Sequence, residues 1–134
     1  SFGADAILII LSAIKEKTAT EIYDIANKLN MSAVVEVHTD EEAKKALKFK
    51  NAIVGINNRN LKTLKTDITT TYNLHKILID HPGPLICESG IKSEKEVKEI
   101  VKKTKINNFL IGESLLKDLD RNSSLLKKIT QISP

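Results

Sequence analysis

Five times along this chain a short apolar run is followed by a stretch that reads as a helix, and that alternation constrains the fold more than any other feature. The runs cover residues 6–11, 33–38, 52–56, 85–88 and 108–111. They are rich in Ile, Leu and Val, as strands covered on both faces need to be. Residues 19–29 carry Ile22, Ile25, Ala26 and Leu29 at helical spacing, with Thr18 and Glu21 as an expected capping box. Thr39 or Asp40 is expected to cap a helix over 41–47, and Tyr72, Leu74, Ile77 and Leu78 mark another. Ser93 and Glu96 form a second expected capping box for a helix over 94–103. A turn at 115–119 and a helix near 123–132 close the pattern. Repeated strand and helix imply a parallel sheet with right-handed crossovers. Two architectures satisfy this. One is an open, doubly wound sheet of the flavodoxin type, for which this length is natural. The other is part of a (β/α)8 barrel, which takes about 250 residues when complete. Pro82-Gly83-Pro84 breaks the chain locally, but no linker divides it, so residues 1–134 read as one domain.

Composition narrows the classes of function. No apolar run approaches the roughly 20 residues of a membrane span. The opening residues lack a basic leader and do not read as a signal peptide. The single cysteine, Cys87, leaves no internal disulfide and points to a reducing cytoplasm. The net charge of +4 comes from lysines scattered among glutamates on helical segments without interleaved aromatics, so nucleic acid is not an expected partner.

The polar residues that could carry chemistry cluster at the carboxyl ends of the apolar runs, where parallel α/β proteins keep their ligands. Gly55-Ile56-Asn57-Asn58-Arg59-Asn60-Leu61 places three amides and a guanidinium just past the third strand. Arginine suits a carboxylate or phosphate because its planar fork donates two parallel hydrogen bonds. Glu36 and Glu88 are carboxylates inside apolar runs. Aliphatic walls would raise their pKa towards an acid–base role; a structural tie to a lysine is the other reading. Gly90 and Gly112-Glu113-Ser114 suggest a phosphate grip, because glycine admits an anion to the backbone and the N–H groups of a following helix face it. His38 reads as a structural strand-end residue, and His75 and His81 as surface residues. Cys87 alternates with Glu88 and so faces the core. No metal-ligand spacing is present.

Four of these segments together resemble a known family. Val35-Glu36-Val37-His38, the run from Gly55 to Thr63, Glu88-Ser89-Gly90-Ile91 and the run from Leu110 to Leu115 resemble indole-3-glycerol-phosphate synthases, in that family's order and spacing. Gly3-Ala4-Asp5-Ala6 is similar to its lead-in to the fourth strand. The resemblance implies strands four to eight of a (β/α)8 TIM barrel. It implies a cofactor-independent closure of the indole ring of 1-(2-carboxyphenylamino)-1-deoxyribulose 5-phosphate, in tryptophan biosynthesis. It assigns acid–base work to Glu36, hydrogen bonding at the reacting centre to Asn57 and an anionic substrate group to Arg59. Glu88 and Ser89 would line the anthranilate side, and Gly90, Gly112, Glu113 and Ser114 the phosphate. The family's strand-one glutamate and lysine and its strand-three lysine, the general acid, have no counterpart in these residues. The chain is therefore expected to turn over weakly or not at all alone, and to pair through its open sheet edges as a homodimer. The reading from another class is a non-enzymatic flavodoxin-like module that binds a phosphorylated ligand or a protein. A receiver-type module would carry an acidic cluster at its first strand end, where this chain has Leu11-Ser12.

Overall fold

Ala33, Val35 and Val37 are buried on one side of their strand, while Val34 and Glu36 project from the other. The same two-residue period runs through every strand and decides the layering. A computed structural model of the chain describes residues 6–110. Within them β1 (Ala6–Ile10), β2 (Ser32–Val37), β3 (Ile53–Asn57), β4 (Leu85–Glu88) and β5 (Phe109–Leu110) form one sheet. All neighbours are parallel, and the strand order is that of the chain. The connecting helices are α1 (Glu16–Lys28), α2 (Asp40–Ala46), α3 (Thr69–Leu78) and α4 (Glu94–Thr104).

This order separates the two architectures. A doubly wound sheet reverses its strand order at a switch point and carries helices on both faces. Here one face is packed throughout: Ile9, Val35, Val37, Val54, Ile56, Cys87 and Phe109 lie buried. Against them sit Ala19 and Ala26 of α1, Ala43 and Ala46 of α2, Leu74 and Leu78 of α3, and Val97 and Ile100 of α4. The alanines of α1 and α2 let those helices approach the sheet closely. The opposite face is open, with Leu8 at its β1 edge 57% exposed and Leu110 at its β5 edge 60% exposed. Consecutive βα units wound one way, with helices outside, are the arrangement of a (β/α)8 barrel wall. The flavodoxin-type alternative is thereby set aside.

Local details follow the cap chemistry. Thr39 and Ser93 each accept a hydrogen bond from the N–H three residues on, at 3.2 Å in both cases. The glutamates at those positions return the favour one residue further out. Glu42 accepts from the His38 N–H at 2.9 Å, and Glu96 from the Lys92 N–H at 2.7 Å. The box expected at Thr18 and Glu21 does not form. Helix α1 starts at Glu16 after extended Lys15, which places Thr18 already inside the first turn. His81 is also not a surface residue. Its Nδ1 accepts from the Gly83 N–H at 3.0 Å, so its Nε2–H is directed at the Phe49 carbonyl 2.9 Å away. That ring ties the turn before β3 to the turn before β4. Among the described residues no helix is long and apolar enough to cross a membrane. Gly112, Glu113 and Ser114, the expected turn at 115–119 and the helix at 123–132 lie outside the described residues.

Candidate active site

The strand register brings the two carboxylates to one place. Ile10 pairs with Glu36, Glu36 with Gly55, and Gly55 with Ile86, so this row crosses the open face of four strands. Asn57 pairs with Glu88 and Glu88 with Leu110, one row nearer the carboxyl ends. Gly55 has no side chain between the two acids. A Cβ built there would lie 3.4 Å from Glu88 Oε2. The Glu88 carboxyl leans into that space and hydrogen-bonds Glu36. Burial, then that hydrogen bond, then the charge of Glu36 push the Glu88 pKa up to about 8. Glu88 therefore keeps its proton at neutral pH, as a hydrogen-bonding acid needs to.

A stability prediction follows directly. In the unfolded chain Glu88 ionises near pH 4.5, but in the folded chain only near 8. Below the lower value it is protonated in both states and its contribution is fully present. As pH rises from 4.5 towards 8 the unfolded state loses a proton that the folded state keeps, so stability falls across that window. Glu88→Gln removes this penalty and preserves a donor to Glu36. The variant is expected to be more stable than the parent at pH 8 by about 2 kcal/mol, after allowance for solvent at the open face. The two chains should converge at pH 4.5 and below, as urea denaturation at each pH will show.

His38 continues the row beyond β2. Its Nε2 is 3.4 Å from Glu36 Oε2, and its Nδ1 is 3.5 Å from Glu42 Oε1. Both nitrogens are buried, close enough for attraction to the carboxylates but off the angles of a formed hydrogen bond.

The loop leaving β3 shapes a cleft of about 560 Å³ beside this pair, lined by Ser12, His38, Asn57, Arg59, Lys62 and Lys65 among others. Its backbone is held by its own amides. Asn57 Oδ1 accepts from the Arg59 N–H at 2.9 Å, and Asn60 Oδ1 accepts from the N–H groups of Lys62 and Thr63. Arg59 bridges Thr66 in antiparallel fashion, which makes a small arm. The Arg59 guanidinium is exposed and donates to the Leu64 carbonyl at 2.9 Å. Behind the arm, Ser89 and Gly90 take successive left-handed conformations, with φ of 68° and 71°. A side chain at Gly90 would place its Cβ 2.6 Å from Thr66 Cβ, so the arm seats on this glycine.

The site residues expected from sequence thus fall into groups. Glu36, Glu88 and Asn57 share the open face at its carboxyl-end rim. Ser89 and Gly90 form the turn just beyond, and Arg59 stands on the arm across the cleft. Asn58 does something else. It is 2% exposed, and its side chain is engaged with Thr71, Cys87, Glu88 and Ser89. Strand parity carries this signal, since Asn58 follows Val54 and Ile56 on the helix side while Asn57 follows Gly55 on the open side. His38 was legible only as a strand-end residue; its contact with Glu36 needs the two-residue spacing on one face together with the cap formed by Glu42.

Residues 1–128 match the family model described as "Indole-3-glycerol phosphate synthase". The chain belongs to the indole-3-glycerol phosphate synthase family. It is 37% identical over 127 residues to the indole-3-glycerol phosphate synthase of Paracidovorax citrulli, covering 95% of this chain and 47% of that protein. It is 40% identical over 127 residues to the tryptophan biosynthesis protein TrpCF of Helicobacter pylori, covering 95% of this chain and 27% of that one. The chain therefore spans about half the length of the indole-3-glycerol phosphate synthases it matches and about a quarter of the TrpCF proteins. Among solved structures, NadC from Streptococcus pyogenes superposes with a TM-score of 0.58 at 15% identity, over 85% of this chain and 38% of that one. At that identity the likeness concerns the fold alone.

Proposed function

We propose that these residues form a single domain, the five carboxyl-terminal βα units of an indole-3-glycerol phosphate synthase barrel. The reaction would close the indole ring of 1-(2-carboxyphenylamino)-1-deoxyribulose 5-phosphate and release carbon dioxide and water. The observation that carries the reading is the carboxyl pair Glu36–Glu88 on the open face, in a chain of this family. Ring closure forms a carbon–carbon bond to the ribulose carbonyl, whose oxygen must gain a proton. It then expels carbon dioxide from the carboxylated ring carbon and the new hydroxyl as water. The overall change is redox-neutral and calls for no cofactor. Glu88, protonated at neutral pH, suits the loss of hydroxide as water. Glu36 suits the uptake of the proton released when the pyrrole ring becomes aromatic, and Asn57 would hold the reacting centre. Arg59 would pair with an anionic group of the substrate, and Ser89 with the anthranilate side. Gly90, with Gly112, Glu113 and Ser114, would offer donors to the phosphate.

Among the described residues no strand carries a lysine or arginine that could donate to the carbonyl oxygen from the open face. The remaining units of the barrel would bring one, and would also cover Leu8 and Leu110. Without them we infer that a second copy covers the open face as a homodimer. The lone buried thiol of Cys87 fits a reducing cytoplasm. The test is turnover of the carboxyphenylamino-deoxyribulose phosphate, read by indole fluorescence, together with sedimentation. The 134-residue chain alone should sediment as a dimer and turn over poorly. Addition of the first three βα units of a relative should give a one-to-one complex and raise the rate at least about 100-fold. Robust turnover by the chain alone, or none after complementation, would refute the proposal.

A further inference from the structure

The mechanism above leaves His38 without a task, yet it is among the most constrained polar side chains of the site. Its side chain is 8% exposed. Two elements fix it. Its own N–H donates to Glu42 Oε1 at 2.9 Å, and its ring Nδ1 stands 3.5 Å from that same oxygen. Glu42 is in turn seated in the first turn of α2, where its N–H donates to the Thr39 hydroxyl. With one edge of the imidazole beside Glu42 of α2, the other edge presents Nε2 to Glu36 Oε2 at 3.4 Å, without a formed hydrogen bond at either nitrogen. Glu36 meets Glu88 on its far side. Four groups thus stand in a line: Glu42, His38, Glu36, Glu88. The charged groups across the cleft are Arg59, Lys62, Lys65 and Asp67, all on the loop after β3.

We propose that His38 is a positioning residue for the carboxyl pair: a proton on its Nε2, 3.4 Å from Glu36 Oε2 but short of a formed hydrogen bond, favours the charged form of Glu36 and leaves the proton of the pair on Glu88. The physical argument concerns asymmetry. Two adjacent carboxyls sharing one proton are nearly equivalent unless something distinguishes them, and their titration then belongs to the pair. A donor on one of them stabilises its charged form and breaks the tie. Of the two acids of the pair His38 stands beside Glu36, and its backbone N–H is tied to Glu42, whose carboxylate also lies 3.5 Å from Nδ1. With a carboxylate beside each ring nitrogen, the imidazole faces both as a donor only when both nitrogens carry a proton. The protonation pattern stands on this geometry alone; its consequence for catalysis rests on the function proposed above.

The experiment is an NMR titration of the whole chain, labelled with 15N-histidine and with glutamate 13C-labelled at the carboxyl carbon. Glu36→Gln and Glu88→Gln assign the two signals. In the parent chain His38 should carry a proton on Nε2, and the upper titration step should appear on Glu88 with little movement of Glu36. In His38→Leu both carboxyl signals should share that step, and His38→Gln, which keeps a donor, should restore the parent pattern. A neutral ring with its proton on Nδ1, or a step shared equally in the parent, would overturn the inference without need of any variant. An unchanged pattern in a folded His38→Leu would do the same. None of these readouts depends on turnover, so failure of the proposed activity would not be confused with failure of this one.

Discussion

Replacing Asn58 by alanine is expected to lower the stability of the chain by about 3 kcal/mol, a large share of what a domain of this size possesses. The side chain is buried and satisfied on both ends. Nδ2 donates to the carbonyls of Ser89 at 3.0 Å and Glu88 at 3.2 Å, with Cys87 Sγ at 3.4 Å. Oδ1 accepts from the Thr71 hydroxyl at 2.8 Å and the Thr71 N–H at 3.1 Å. One residue thus joins β3, the turn after β4 and the first turn of α3. Truncation leaves the part-buried Ser89 carbonyl without its donor and opens a cavity beside Cys87. The Thr71 N–H keeps a second acceptor in the Ile68 carbonyl, which tempers the loss. Asn57→Ala, at the neighbouring position on the opposite face, is expected to change stability by less than about 1 kcal/mol. Urea midpoints of the two variants will separate the roles. Equal midpoints would mean that the buried network contributes nothing beyond its surroundings.

The contrast between Asn57 and Asn58 shows how far residue types alone reach. The motif announces hydrogen-bonding heads after a strand, and that reading holds for the loop as a whole. Which amide lies on the open face and which engages the core depends on strand parity, and parity requires knowing where the strand ends. The expected strand stopped at residue 56; β3 runs through Asn57, which places Asn57 on the open face beside Glu88. The apolar runs were legible because parallel strands under helices are long-lived signals in composition. Their sequential order was not, since it emerges only when the helices of all units choose one face. The same limit applies to His81, which reads as a surface residue until the turn before β4 folds back on Phe49. The carboxylates inside apolar runs were conspicuous as acid–base groups or, on the other reading, as ties to a lysine. Each finds the other instead, because the register sets Glu36 beside Gly55 and that glycine leaves the intervening position empty.

Gly55 should therefore tolerate alanine but not valine. The Cβ of alanine would stand 3.4 Å from Glu88 Oε2, a contact the end of a flexible side chain relieves by a few tenths of an ångström. Gly55→Ala is expected to keep both the carboxyl pair and, in the completed barrel, most of the turnover. The γ-methyls of valine extend into the volume that the Glu88 carboxyl occupies, and Val34 closes the other side with its Cγ1 at 3.8 Å from the same Cβ position. Glu88 would have to swing away from Glu36. Its upper titration step, near 8 in the parent, would fall as the hydrogen bond and the adjacent charge are lost, leaving burial alone to raise it. Turnover in the complemented barrel is expected to drop on the order of 1,000-fold, the scale of losing a positioned proton donor together with its preorganised partner. Stability should change far less. Valine favours the strand and removes the backbone freedom of glycine, which offsets part of the crowding. A Gly55→Val chain that keeps the step near pH 8 and full turnover would mean that the carboxyls meet without the space the glycine provides. A chain that loses turnover and unfolds as well would instead place the residue among the determinants of the sheet.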